Sequence, residues 1–155
     1  MSKLAVKLEQ LGYTLRSGHA SGADTAFARD VRNADIYLPY HGFREKERNP
    51  LHRYIVVDEH DEEAVQSLAY HPAPSKLKPV AVKMMRRNFR QVIGRNAPNS
   101  QFVLCWTPGG KPVGGTSQAI RIAKAHNIPV FNLGDDAVSQ KIQNSFIQNI
   151  GLFRK

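Results

Sequence analysis

At 155 residues, the chain is long enough for one ordinary domain and short for two. Its composition, 41% hydrophobic and 23% charged, supports a real core and argues against global disorder. The single cysteine, Cys105, excludes an internal disulfide framework and a multi-cysteine zinc cluster. The net charge of +9 is unevenly spread: residues 64–134 hold ten Lys or Arg and no Asp or Glu, while the rest holds twelve basic and thirteen acidic residues. The apolar runs fall short of the roughly 20 residues a membrane span needs, and the N-terminus lacks a signal-peptide core, so a cytoplasmic location without membrane attachment is expected.

In chain order, Leu4, Leu8 and Leu11 recur at helical spacing and stop at Gly12, a C-terminal capping residue. A short β-prone run over 13–16 opens into a small-residue loop, after which Ala23, Phe27, Ala28 and Val31 return to helical spacing. Residues 34–38 form a second strand, stopped by Pro39. The polar stretch 40–53 is an exposed excursion. A third strand over 54–58 precedes a helix over 61–70, with Asp61 as N-cap and Val65, Leu68 and Ala69 facing inward. The Pro-containing stretch 71–79 ends it.

From 79 to about 93 a longer helix carries Val82, Met85, Phe89, Val92 and Ile93 on one side. Lys83, Arg86, Arg87 and Arg90 lie mostly on the other. For Arg86 and Arg90 a solvated face is the expected fate. The apolar run 101–106 is a strand covered on both faces, followed by a glycine-rich loop and a helix with Ala119, Ile122 and Ala123 inward. Residues 128–133 form the last strand. Asp135 or Asp136 caps a final helix whose Val138, Ile142, Phe146 and Ile150 make the buried stripe. Strands alternating with helices predict a single α/β domain over residues 1–155, with a mostly parallel sheet.

The chemistry is expected in the loops at 17–24 and 107–117. Ligands of open parallel sheets bind beyond the carboxyl ends of the strands, where small residues let backbone N–H groups approach an anion. Gly18, Gly22, Gly109, Gly110, Gly114 and Gly115 supply that backbone, and Ser17, Ser21, Thr116 and Ser117 add hydroxyls. The alternative is that the glycines only make tight turns. Neither loop has dinucleotide GxGxxG spacing or the Lys-Ser/Thr of a P-loop, so a phosphate or nucleotide pocket of another kind is predicted.

The string from Gly12 to Phe27, containing Arg16-Ser17-Gly18-His19-Ala20-Ser21-Gly22-Ala23-Asp24, resembles the first glycine motif of the SLOG superfamily, the Rossmann-like group that includes the DNA-processing protein A and "Lonely Guy" proteins. The resemblance continues through Ile36-Tyr37-Leu38-Pro39, His71-Pro72, Arg87-Asn88, Cys105-Trp106-Thr107-Pro108, Gly114-Gly115-Thr116 and residues 128–133. It spans residues 8–134 and is nearest to small proteins of bacteria and their phages. It implies a Rossmann-like three-layer fold and a nucleotide or nucleotide-derived ligand, such as an ADP-ribose-like signal, held between the two loops. The ligand residues it implies are Arg16, Ser17, Gly18, His19, Ser21, Gly22, Asp24, Arg87, Asn88, Thr107, Gly109, Gly110, Gly114, Gly115, Thr116 and Ser117.

Two departures qualify the inheritance of function. The chain begins inside the first helix, without the strand that usually precedes it, so the pocket is expected to be either opened or completed by a partner subunit, and a homo-oligomer is expected because an exposed sheet position is a liability. The hydrolase branch carries a glutamate where Ala119 stands here, preceded by Gln118. If the protein is an enzyme, Asp24 is the available carboxylate, but a glycosidase needs a second group; Asp24 also suits a helix N-terminus without chemistry. Arg87 is suited to clamping a phosphate, with a place on a solvated helix face as the alternative. Trp106 is expected in the core more than under a base, and Cys105 is expected to be buried and unreactive. The six histidines show no metal-ligand spacing, so neither metal nor other cofactor is predicted.

The leading expectation is therefore a protein that binds a nucleotide-type signal without turnover, in one form a phage protein that sequesters a host defence signal. An N-glycosidase acting on nucleoside 5′-monophosphates is the second, with free base as its diagnostic product. A single-stranded DNA-binding recombination mediator is the third. It requires salt-sensitive binding and aromatic stacking platforms.

Overall fold

The computed structural model describes residues 1–147. The chain divides into two compact units, Met1–Ser100 and Gln101–Lys155. Both are mixed α/β with parallel strands, and the strands hydrogen-bond as two sheets rather than one. The architecture is of the Rossmann-like α/β kind, as the alternation of elements led us to expect.

In the first unit the elements are α1 (Ser2–Gln10), β1 (Leu15–Ser17), α2 (Ala23–Ala28), β2 (Ala34–Leu38), β3 (Arg53–Val56), α3 (Glu62–Gln66) and α4 (Pro79–Ile93). Helix α1 buries Ala5 and Leu8 while Leu11 is exposed, and Gly12 follows at φ 90°, a left-handed backbone that glycine adopts without a Cβ clash. The sheet order is β1-β2-β3, with Ser17 opposite Ile36 and Tyr37 opposite Ile55. Central strand β2 is covered on both faces, which accounts for the run of buried Ile36, Tyr37 and Leu38. Ala34, Ile36, Leu38 and Phe43 form a core cluster against which Leu15, Tyr54, Val56 and Met84 pack. At the strand edge, Arg53 grips Asp35 bidentately at 2.8 Å, on the two residues that face each other in register.

Helix α3 is shorter than its pattern. Asp61 caps it through the Ala64 N–H, and the chain then tightens into a 3-10 turn over Ser67–Tyr70. That change of pitch alters the inward face: Ala64 and Ser67 are buried, whereas Val65 and Ala69, expected inside, are exposed. Helix α4 packs on β1 and β2, with Phe89 and Val92 buried. Its basic stripe is not solvated: Arg86, Arg87 and Arg90 are all under a tenth exposed. Arg90 is held by Asp61 (2.6 and 2.7 Å), Glu63 (2.9 Å) and the Gly94 carbonyl (2.7 Å). Burial alone would raise the Asp61 carboxyl, but the hydrogen bonds from Arg90 and Ala64 and the charges of Arg90 and Arg95 outweigh it, so the net direction is below the ordinary carboxylate range.

In the second unit, β4 (Val103–Cys105) and β5 (Val130–Asn132) pair in parallel, with Cys105 opposite Asn132. Helices α5 (Thr116–Ala125) and α6 (Asp136–Ile147) pack on this pair. Helix α5 buries Ile120, Ile122 and Ala123. Of the two capping candidates for α6, Asp135 is the one used, accepting from the N–H groups of Ala137 (2.9 Å) and Val138 (3.3 Å). Ile142 is buried; Phe146 and Ile150, the outer members of the expected stripe, lie outside the described side chains.

Candidate functional site

The first glycine loop joins β1 to α2. Asp24, at the start of α2, turns its Oδ2 back to accept from the N–H groups of Gly18 (3.2 Å) and Ala20 (3.1 Å), and Thr25 Oγ1 donates to the Ala20 carbonyl at 2.7 Å. These bonds close the loop on itself. The Gly18 N–H, expected to face a phosphate, is thus occupied by Asp24, whose carboxylate holds the loop's shape. Ser21 and Gly22 lie at the exposed tip, Gly22 at φ 91°.

Gly18 is required by an arginine. A Cβ placed there would come under 3.0 Å from Nη1, Cζ and Nε of Arg87. Arg87 reaches over from α4 and donates Nη1–H to the Gly18 carbonyl and Nε–H to Asn88 Oδ1 (3.1 Å). Among the described residues, Nη2 meets the Met84 sulfur, at 3.7 Å. Arg87 is 5% exposed and has no carboxylate ion pair among the described residues. Burial pulls its pKa down, and the charge of Asp24 opposes this. Arginine keeps its proton in proteins, so a charged group is buried here with no carboxylate bonded to it among the described residues. Arg87 and Asn88, joined to Gly18 only by resemblance in the sequence, are in direct contact with the loop or next to it.

Ser17, 2% exposed, leaves its hydroxyl buried and without a partner among the described residues. Such orphans are uncommon in folded proteins. His19 is buried with φ 60°, and its Nε2 bonds to the carbonyl of Arg44 (3.3 Å), itself at φ 44°. A carbonyl only accepts, so Nε2 carries the proton in the neutral ring. Two non-glycine residues in left-handed backbone therefore meet at one hydrogen bond, each at a cost of about 1 kcal/mol. Burial lowers the His19 pKa below the ordinary 6.5; the charges of Arg44 and Arg48 act the same way, against the Arg44 carbonyl and Glu47. Arg16 is placed elsewhere: its guanidinium lies against Gly94 and donates to Ser100 Oγ (3.4 Å), at the C-terminal end of α4 where a cation suits the helix dipole.

The second loop differs in kind. Thr107 and Asn132 clasp the ends of β4 and β5: Asn132 Nδ2 donates to Thr107 Oγ1 at 2.6 Å, and Asn132 Oδ1 accepts from the N–H groups of Thr107 and Gly134, both at 3.1 Å. A Cβ on Gly134 would collide with the Thr107 carbonyl, and one on Gly110 would lie 2.9 Å from Asp135 Cβ. Ser117 Oγ donates to the Gly114 carbonyl at 2.7 Å and receives Arg121 at 3.3 Å. Gly109, Gly114, Gly115 and Lys111 are exposed, and Thr116 is half-buried. Gln118 is fully buried and accepts from Arg121 at 3.1 Å. Trp106, expected in the core, is 45% exposed because its strand ends one residue earlier. Cys105 is buried and its thiol is pushed up to about 11 by burial, which keeps it from acting as a thiolate.

Among the described residues there is no group of three or more His, Cys, Asp or Glu able to hold a metal ion, and no helix long and apolar enough to cross a membrane. Compared with known proteins, the chain matches no family model, no curated protein and no solved structure.

Proposed function

We propose that the protein binds an anionic small molecule of the nucleotide class at its first glycine loop and holds it without turnover. The observation that carries this is Arg87, a buried guanidinium beside Gly18 whose partners are a carbonyl, an amide oxygen and a sulfur. A phosphate within its reach supplies the directly bonded anion that Arg87 lacks among the described residues, in a charge-assisted pair. The unpartnered Ser17 hydroxyl next to it supplies a further donor. The resemblance of residues 12–27, Arg87-Asn88 and Gly114-Gly115-Thr116 to SLOG proteins supports a nucleotide-derived ligand in particular. Kept intact, such a ligand is withdrawn from any receptor that needs it, which is the sequestering role implied for the phage branch.

Binding is favoured over glycosidase chemistry because Asp24 spends its Oδ2 on the Gly18 and Ala20 N–H groups, and a glycosidase needs a carboxylate free to face the sugar. The test is calorimetry with adenosine, adenosine 5′-monophosphate and ADP-ribose, followed by chromatography of the recovered ligand. The phosphorylated compounds are expected to bind at least tenfold tighter than adenosine, to be recovered unchanged, and to lose that advantage in Arg87→Met. Equal binding of adenosine, or a wild-type preference that survives in Arg87→Met, overturns the assignment. Release of adenine transfers it to the N-glycosidase reading.

A further inference from the structure

The segment between β2 and β3 has the composition of a solvated excursion, yet it is built onto the first loop. Phe43 is 9% exposed and joins the β2 core. His19 stands edge-on to both Tyr54 (5.6 Å between centroids) and Phe43 (6.4 Å), and Phe43 in turn to Tyr40 (5.4 Å). These rings position two arginines. Arg48 lies 5.0 Å over the Tyr54 ring and donates Nη2–H to the Phe43 carbonyl at 3.5 Å, with no carboxylate ion pair among the described residues. Arg44 pairs with Glu47, whose side chain is 56% exposed. Both charges are felt at His19.

The polar accounting at this place does not close. Four buried side-chain N or O atoms lack a partner among the described residues: Ser17 Oγ, Arg44 Nε, Arg48 Nε and Arg86 Nε. The first three belong to the elements that meet at His19. All three can donate, and the two Nε–H groups can do nothing else. A group rich in acceptor oxygens completes them, and a negative charge offsets Arg48. Arg87 approaches the loop from α4 on the Gly18 side, so positive charge arrives from two separate elements.

We propose that Arg44 and Arg48 form a second anion-recognising wall of the ligand site and select molecules carrying two or more linked anionic groups, such as oligophosphates, over those carrying one. This rests on the assignment of an anion to the first loop. Arg87 receives one group. The Arg44–Arg48 pair receives the next, displacing Glu47 toward solvent.

Calorimetry on the full chain with inorganic orthophosphate, pyrophosphate and tripolyphosphate tests it. The wild-type protein is expected to bind one of the longer phosphates at least tenfold tighter than orthophosphate. Arg48→Gln is expected to reduce that ratio below threefold with orthophosphate affinity unchanged. Arg48→Lys, which keeps the charge and a stem over Tyr54, is expected to retain part of it and serves if the glutamine variant does not fold. Lys3→Gln removes the same charge from an exposed position and is expected to leave the ratio intact. Equal affinity for all three phosphates, a ratio that survives Arg48→Gln, or an equal loss in Lys3→Gln overturns the second wall while leaving the first-loop assignment standing. Binding of none of the phosphates overturns both.

Discussion

The two glycine-rich strand-to-helix turns look alike as strings of small residues, but they solve different problems. In the second, Gly110 admits Asp135 and, after the neighbouring strand, Gly134 admits the Thr107 carbonyl, and the hydroxyls of Thr107 and Ser117 are paired within the unit. In the first, Gly18 admits the Arg87 side chain, and the surroundings are left, among the described residues, with a buried guanidinium that no carboxylate bonds, a serine hydroxyl without a partner and two residues in left-handed backbone. A turn whose hydroxyls are paired within its own unit needs no ligand to complete them. One that keeps a buried charge and an unpaired hydroxyl costs stability, and the anion proposed above offsets that cost. Glycine content does not separate the two; the inventory of partners does.

Gly134→Ala is the harshest way to break the comparison. The clash there is with backbone that has nowhere to move, and a loss of about 3 kcal/mol is expected in urea unfolding, with no specific effect on ligand affinity in protein that still folds. Gly18→Ala meets instead the end of a flexible side chain, so about 2 kcal/mol is expected as Arg87 swings off the Gly18 carbonyl. The ligand-induced rise in Tm should vanish with it. If Gly18→Ala destabilised more than Gly134→Ala and left binding intact, the contrast between the loops would be wrong.

Thr107→Val removes the acceptor for Asn132 Nδ2 and is expected to cost about 1 kcal/mol while binding is retained, because that hydroxyl already has its partner. The smallest effect is in pH dependence. The folded-state pKa of His19 is lowered by burial, so between that value and the ordinary 6.5 the unfolded chain binds the extra proton. Stability therefore falls on acidification below about pH 6.5. His19→Gln is expected to flatten that limb; an unchanged slope would assign it to other histidines.

The α/β class, the order of elements and most of the core were legible in the sequence because periodicity reports on local burial. Phe27, Ala28, Val31, Ile122 and Ala123 lie inside as their spacing requires. The basic stripe of α4 was not legible, because the acceptors that bury it come from afar: Asp61 for Arg90 and the Gly18 carbonyl for Arg87. With Arg86, three of the ten basic residues in the acid-free block are buried. The charge excess is thus partly an internal feature, not wholly a coat. The segment after β2 is largely exposed, as its composition implies, but the burial of Phe43 and its ring contact with His19 depend on a residue far away in sequence and were not legible. Asp24 was placed correctly at the loop, but composition could not say that its carboxylate would close the loop on itself.

The central claim is that the first loop, with Arg87, is where an anionic ligand is held. A two-dimensional 1H–15N NMR titration with adenosine 5′-monophosphate tests it residue by residue. The account predicts saturable amide shifts at Ser17–Asp24 and at Arg87 and Asn88, lost in Arg87→Met. Shifts confined to Thr107–Ser117, with the first loop silent, would contradict it.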